Sequence, residues 1–163
     1  MRRTNLPNLS LIALAASYFI QIGAGFFALA VVGRVLSAAP PRSLSMLQGE
    51  YRYDSSAFWE IAPTITAALF LLAIAANWKS RRRALLLAAL VMFVLSGIAS
   101  GAALSSLFAE FTTGGYRDAV DAALQRRAAI WYRADWGLRC FDALAGIILL
   151  VALTRPAPDR AAA

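Results

Sequence analysis

The sequence predicts an all-α fold, an integral membrane four-helix bundle with an amphipathic surface helix before the last span. Three observations carry this. The apolar residues fall in four long blocks, the composition is too apolar for water, and the cations gather at block ends. Of 163 residues, 60% are hydrophobic and 15% charged, where soluble domains run nearer half and about a quarter. Mean hydropathy is +0.62. Apolar surface in blocks of this length needs lipid as its solvent. The length fits one domain covering residues 1–163.

The first block, about 9–36, exceeds the roughly 20 residues needed to cross a bilayer, so it must tilt or project. It follows Arg2 and Arg3, a start shared with signal peptides, but its apolar stretch is far too long for one. An uncleaved helix is therefore expected. Pro40 and Pro41 end it, and the polar stretch around Arg42, Glu50, Arg52 and Asp54 makes 37–56 an outer loop. The second block, 57–78, opens behind the potential cap Asp54-Ser55-Ser56 and carries Glu60 and Pro63 in its first turns.

The turn between the second and third blocks contains Lys79, Arg81, Arg82 and Arg83. Under the positive-inside rule this places it, and with it both termini, in the cytoplasm. The third block, 84–108, leads into a second outer loop, 109–135. There Val120, Leu124, Ala128 and Trp131 recur at helical spacing, the stripe of a helix lying on the membrane surface. The last block, 136–153, stops before Pro156 and Pro158. The bias towards arginine and alanine resembles that of a GC-rich bacterial genome, which makes a bacterial inner membrane the expected location.

Gly97 and Gly101 in the third block have the small-xxx-small spacing. Small residues let helix backbones approach closely in lipid, so they mark a packed face, either inside the bundle or between copies. Glu60, beside Trp59, has two readings. At headgroup level Trp59 is an interfacial anchor and Glu60 is incidental. Deeper, Glu60 is a carboxylate that handles protons or ligands. Trp131, Asp135 and Arg139 follow at four-residue steps and Asp142 three later, so they share one helix flank as an ion-paired ladder. That ladder is either satisfied structure or a guanidinium presented to a ligand from the outer side. Gln21 and Asn77 suit hydrogen bonds within the bundle.

The chain has no histidine and a single cysteine, Cys140. An internal disulfide is impossible and the commonest ligand for catalytic metals is missing, so no metal site and no cofactor are expected. The formal charge of +7 is spent at membrane interfaces, which excludes nucleic acid as the expected partner. The expected partners are the lipid bilayer and a homo-oligomer or another membrane protein.

The string Phe58-Trp59-Glu60-Ile61-Ala62-Pro63, closed by Asn77-Trp78, resembles the anthrone-oxygenase-like family of small four-helix membrane proteins. So do Leu107-Phe108-Ala109-Glu110 and Trp131-Tyr132-Arg133-Ala134-Asp135-Trp136 with Arg139. The likeness covers about the latter two-thirds of the chain. It implies four membrane helices and, for family members with an activity, cofactor-independent oxygenation of an aromatic polyketide-like substrate. In such a reaction Glu60 would be the catalytic base and Arg139 the catalytic stabiliser of an enolate, with Trp59, Trp131 and Asp135 binding the ligand. The sequence itself favours a polytopic membrane protein acting as a structural or accessory partner. Oxygenase is the alternative, and a small transporter subunit the third reading.

Overall fold

The computed structural model describes residues 5–156. Arg2, Arg3, Pro158 and Arg160 lie outside the described residues. Among those described, four helices are long and apolar enough to cross a membrane: α1 (Leu6–Ala38), α2 (Ser56–Ala76), α3 (Arg82–Thr112) and α4 (Ala122–Thr154). Their outward sides carry Ile20, Phe27, Ile61, Leu71, Ile98 and Ile147, all exposed. An apolar girdle of that extent is untenable in water and fits a lipid environment.

Each helix starts or stops for a local reason. Pro7 occupies the first turn of α1, where no backbone donor is needed. Asp54 accepts the Ser56 amide at 2.9 Å before α2, so the expected cap comes from Asp54 rather than from either serine. Before α4, the Asp121 carboxylate accepts the Ala123 and Leu124 amides at 2.7 and 3.2 Å. α1 and α3 each loosen into π-helix partway along, over Ala28–Gly33 and Ala99–Leu104. Each of the two segments contains a glycine, Gly33 and Gly101, the weakest helix former after proline. The Ser105 hydroxyl donates to the Ser100 carbonyl at 3.0 Å, supplying a bond across the widened turn.

Round the bundle, α1 packs on α2 and α4, and α4 packs on α3, whereas α2 meets α3 chiefly along the Arg82–Ile98 stretch. The ring is thus loosest at the α2/α3 seam beyond residue 98. Two cores hold it. Near the 77–83 turn, Leu11, Leu14, Phe70, Ala73, Leu86, Ala89, Leu149 and Ala152 are almost wholly buried. At the opposite, loop end, Val32, Leu36, Leu44, Phe111 and Ala128 form a second cluster, with Trp131 and Phe108 against it.

The loop end differs from expectation in one respect. The stretch foreseen as a separate surface helix is the unbroken first part of α4, which starts at Ala122 and continues to Thr154. Ala128 and Trp131, the apolar stripe, do not lie on lipid; they pack on α1, α3 and the first loop. The two loops are stitched together, with Arg42 donating to the Ala119 carbonyl and Asp121 to that of Pro40. Gln125 Nε2 adds a bond to the Ala38 carbonyl at 2.8 Å. Between them lies a short 3-10 helix, Arg42–Leu47, whose Leu44 plugs the second core.

The turn end is closed by polar bonds. Arg82 is only 4% exposed. Its Nε donates to the Arg155 carbonyl at 2.8 Å and its NH1 to Asn8 Oδ1 at 2.6 Å. Asn77, fully buried, donates to the Pro7 and Ala73 carbonyls at 3.1 and 2.9 Å. A guanidinium that meets the carbonyl just past a helix C-terminus, as Arg82 meets that of Arg155, has favourable charge–dipole geometry without a carboxylate partner. The cation expected only to set orientation also fastens α1, α3 and α4 together.

Candidate functional site

Between the two cores the bundle is hollow. The space divides into an upper cavity of about 340 Å³ towards the loops and a lower one of about 400 Å³ at mid-bundle. Trp59, Ser100 and Arg139 line both, so the two adjoin at that level. Each falls within the size range of small-molecule sites.

The upper cavity takes its walls from all four helices. α1 gives Gly25, Leu29, Val32 and Gly33, α3 gives Ser100, Leu104 and Phe108, and α2 gives Trp59. α4 adds Trp131, Asp135 and Arg139, and Tyr53 of the first loop completes it. Both π-helical segments contribute, consistent with the tendency of such segments to occur at functional positions. Trp131 is fixed in place by Phe108 and Phe111, at centroid distances of 5.3 and 5.6 Å.

The floor of the upper cavity is an ion-paired triad. Arg139 Nε lies 3.1 Å from Asp135 Oδ1 and its NH1 3.0 Å from Asp142 Oδ2. The three side chains are 12%, 18% and 10% exposed, so the ladder expected from spacing is formed and nearly enclosed. Asp135 faces the upper cavity and Asp142 the lower. Gly25 makes room for it: a β-carbon there would lie 2.8 Å from Arg139 NH1.

The lower cavity is lined by Tyr18, Gln21 and Ile22 of α1, Pro63, Thr64 and Ala67 of α2, and Phe93, Ser96 and Gly97 of α3. Tyr18 is 3% exposed and its hydroxyl has no hydrogen-bond partner. The Gln21 amide nitrogen donates to Thr66, which leaves its carbonyl oxygen free. Pro63 lacks an N–H, so the Trp59 carbonyl one turn earlier loses its helical donor.

Of the residues singled out in the sequence, Trp59, Trp131, Asp135 and Arg139 therefore meet on one cavity. Glu60 does not join them. It is exposed on the other side of α2 and lines neither cavity, so the pairing of Glu60 as base with Arg139 is not assembled. Gly97 and Gly101 are also placed differently from the in-bundle reading. Both are exposed, with nothing within 4 Å of a β-carbon at either. The close approaches occur instead at Gly25 and at Gly146, where a β-carbon would lie 2.9 Å from Ile22 Cδ1.

Sequence reasoning missed Tyr18, Asp142 as a lining residue, and the serines of α3. An isolated tyrosine in an apolar block carries no periodic signal, and only the crossing of α1 with α4 brings it to Asp142. Among the described residues no group of three or more His, Cys, Asp or Glu converges. No protein family, curated protein or solved structure matches the chain.

Proposed function

We propose that this chain is a polytopic membrane protein that binds a small single-chain amphiphile in the loop-end half of its bundle, loaded sideways from lipid between α2 and α3. The observation that carries this reading is the convergence of Trp59, Trp131, Asp135 and Arg139 on one cavity that adjoins a second. Apolar walls with a few polar groups at one level suit a molecule with a tail and a head. The loose seam supports lateral loading, because the upper cavity is bordered by Trp59 of α2 and by Ser100, Leu104 and Ser105 of α3, beyond residue 98, where the two helices stand apart. In this reading the 77–83 turn faces the cytoplasm and the loops face the outside of a bacterial inner membrane, as the cation distribution favours.

The other expectations fit less closely. An accessory role through a partner or a second copy has Gly101 in its favour, exposed on α3 with open space around it. An oxygenase of the kind implied by the resemblance would need its base from Asp135 or Asp142, since Glu60 is outside both cavities. A transporter would need a path through the turn-end core, where Leu11, Phe70, Leu86 and Leu149 leave no exposed surface.

Brominated twelve-carbon amphiphiles provide the test, since bromine quenches tryptophan on contact. The protein in dodecylmaltoside, titrated in turn with the brominated alcohol, acid and amine, should show saturable one-to-one quenching by at least one. The double variant Trp59→Phe, Trp131→Phe should lose the saturable phase although Trp78 and Trp136 still report. Quenching by all three that rises without saturation, alike in wild type and variant, would reject the pocket.

A further inference from the structure

Resting on that binding reading, we propose that the amphiphile carries a primary ammonium head, seated in the lower cavity on Asp142 with Tyr18 and Gln21 around it and Trp59 above.

The charge balance comes first. Two carboxylates, Asp135 and Asp142, face one guanidinium, and no other charged side chain lines either cavity among the described residues. With both carboxyls ionised the triad is one positive charge short of neutrality in a region shielded from water. An uncompensated charge there is costly, and either a proton on one carboxyl or a cationic head supplies what is missing. An anionic head would meet the opposite situation. Arg139 engages Asp135 through Nε and Asp142 through NH1, so a carboxylate or phosphate would be left with NH2 and would lie beside two carboxylates that repel it.

The hydrogen-bonding capacity of the lower cavity points the same way. Gln21 offers a carbonyl oxygen, Tyr18 an unpartnered hydroxyl oxygen, and Asp142 a second carboxylate oxygen. Pro63 leaves the Trp59 carbonyl without its helical donor on the same wall. An ammonium group has three donors and no acceptor, which is the complement of this set. The buried Tyr18 hydroxyl is the independent sign of a missing partner: at 3% exposure a polar group is ordinarily paired. Trp59, lining both cavities, places an indole beside the head, where a cation gains from the ring face. The tail then has the apolar walls of the upper cavity, Leu29, Val32, Leu36 and Phe108, or the seam beside Gly97.

The test compares three probes of equal length, dodecylamine, dodecanol and dodecanoate, by native mass spectrometry of the full chain released from dodecylmaltoside. Dodecylamine should bind at least tenfold more tightly than dodecanol, and dodecanoate least. Asp142→Asn should weaken dodecylamine about tenfold while leaving dodecanol unchanged, which also shows that the variant is folded. Tyr18→Phe should weaken dodecylamine about threefold. Should dodecanol match the amine, or dodecanoate exceed it, the ammonium head is overturned while the pocket stands. If none of the three binds, the pocket reading fails and takes this one with it. Phosphatidylethanolamine and phosphatidylglycerol, added to separate samples, identify the source. Displacement of dodecylamine by phosphatidylethanolamine alone means a bilayer lipid supplies the head; displacement by neither means a free amine does. Displacement by phosphatidylglycerol alone overturns the assignment.

Discussion

At the scale of single residues, the polar groups of this chain divide by depth into those that answer to water and those that answer only to one another. Asp121 belongs to the first kind. Hydrogen bonds from the Leu124 and Ala123 amides hold its carboxyl below the usual carboxylate range. A carboxyl whose value is lower folded than unfolded stabilises above its unfolded value, near 3.9, and that contribution fades as pH falls through the folded value. Asp121→Ala should therefore lower the melting temperature at pH 7, and the difference from wild type should shrink as the pH is brought below about 4. Thermal unfolding in detergent across that range reads it directly. Asp135 and Asp142 are of the second kind, each fastened to Arg139 within a nearly closed interior. The heptad-like spacing of Trp131, Asp135, Arg139 and Asp142 made their common flank legible in the sequence. Glu60 was misleading because its neighbours Trp59 and Pro63 do line the site, and one residue along a helix turns a side chain by about 100°.

At the scale of elements, what matters is where backbones come close. Glycine spacing pointed to Gly97 and Gly101, yet neither meets a packed backbone: both are exposed, and Gly97 borders the lower cavity. The positions where a β-carbon would crowd a neighbour are Gly25 and Gly146, on the α1/α4 crossing. They lie on different helices and share no motif, so only the assembled pair reveals them. Two substitutions separate these cases. Gly146→Leu must displace Ile22 and Phe19 and should cost about 1–3 kcal/mol through overpacking, seen as a lower melting temperature. Gly97→Leu has open space around it and should leave the melting temperature within a degree or two. Equal losses in both would place a packed neighbour on Gly97 after all. The four blocks and their order were readable because lipid demands long apolar runs. The course of the outer loops was not, since their stitching through Pro40 and Asp121 and through Arg42 and Ala119 uses backbone groups common to nearly every residue.

For the whole molecule, the organisation is a bundle closed at one end and hollow toward the other. The turn end combines the larger core with the Arg82 and Asn77 bonds, while the loop end closes over a cavity with a smaller cluster. If the loop end faces outward, a membrane-impermeant thiol reagent applied to intact cells should label Tyr51→Cys and spare Ser80→Cys, both in a Cys140→Ser background. Tyr51 is almost fully exposed in the first loop, 94%, which makes it a good reporter. The reverse pattern would invert the topology and move the pocket to the cytoplasmic half. A membrane protein of this shape has its stiffness concentrated at one face, so helix separations that admit a ligand cost least where α2 and α3 already stand apart.

The bonds of Arg82 also carry a consequence for how the chain is made. Asn8 and Asn77 precede Arg82 during synthesis, but the Arg155 carbonyl that takes both Nε and NH2 is among the last groups of α4 to be polymerised. The three earlier helices can be inserted and can find one another while that guanidinium still lacks its main acceptor. Only when the ribosome has finished the fourth helix does the fastening shut. A nascent product arrested inside α4 would carry at the turn end a cation held by Asn8 but lacking the carbonyl that takes both Nε and NH2.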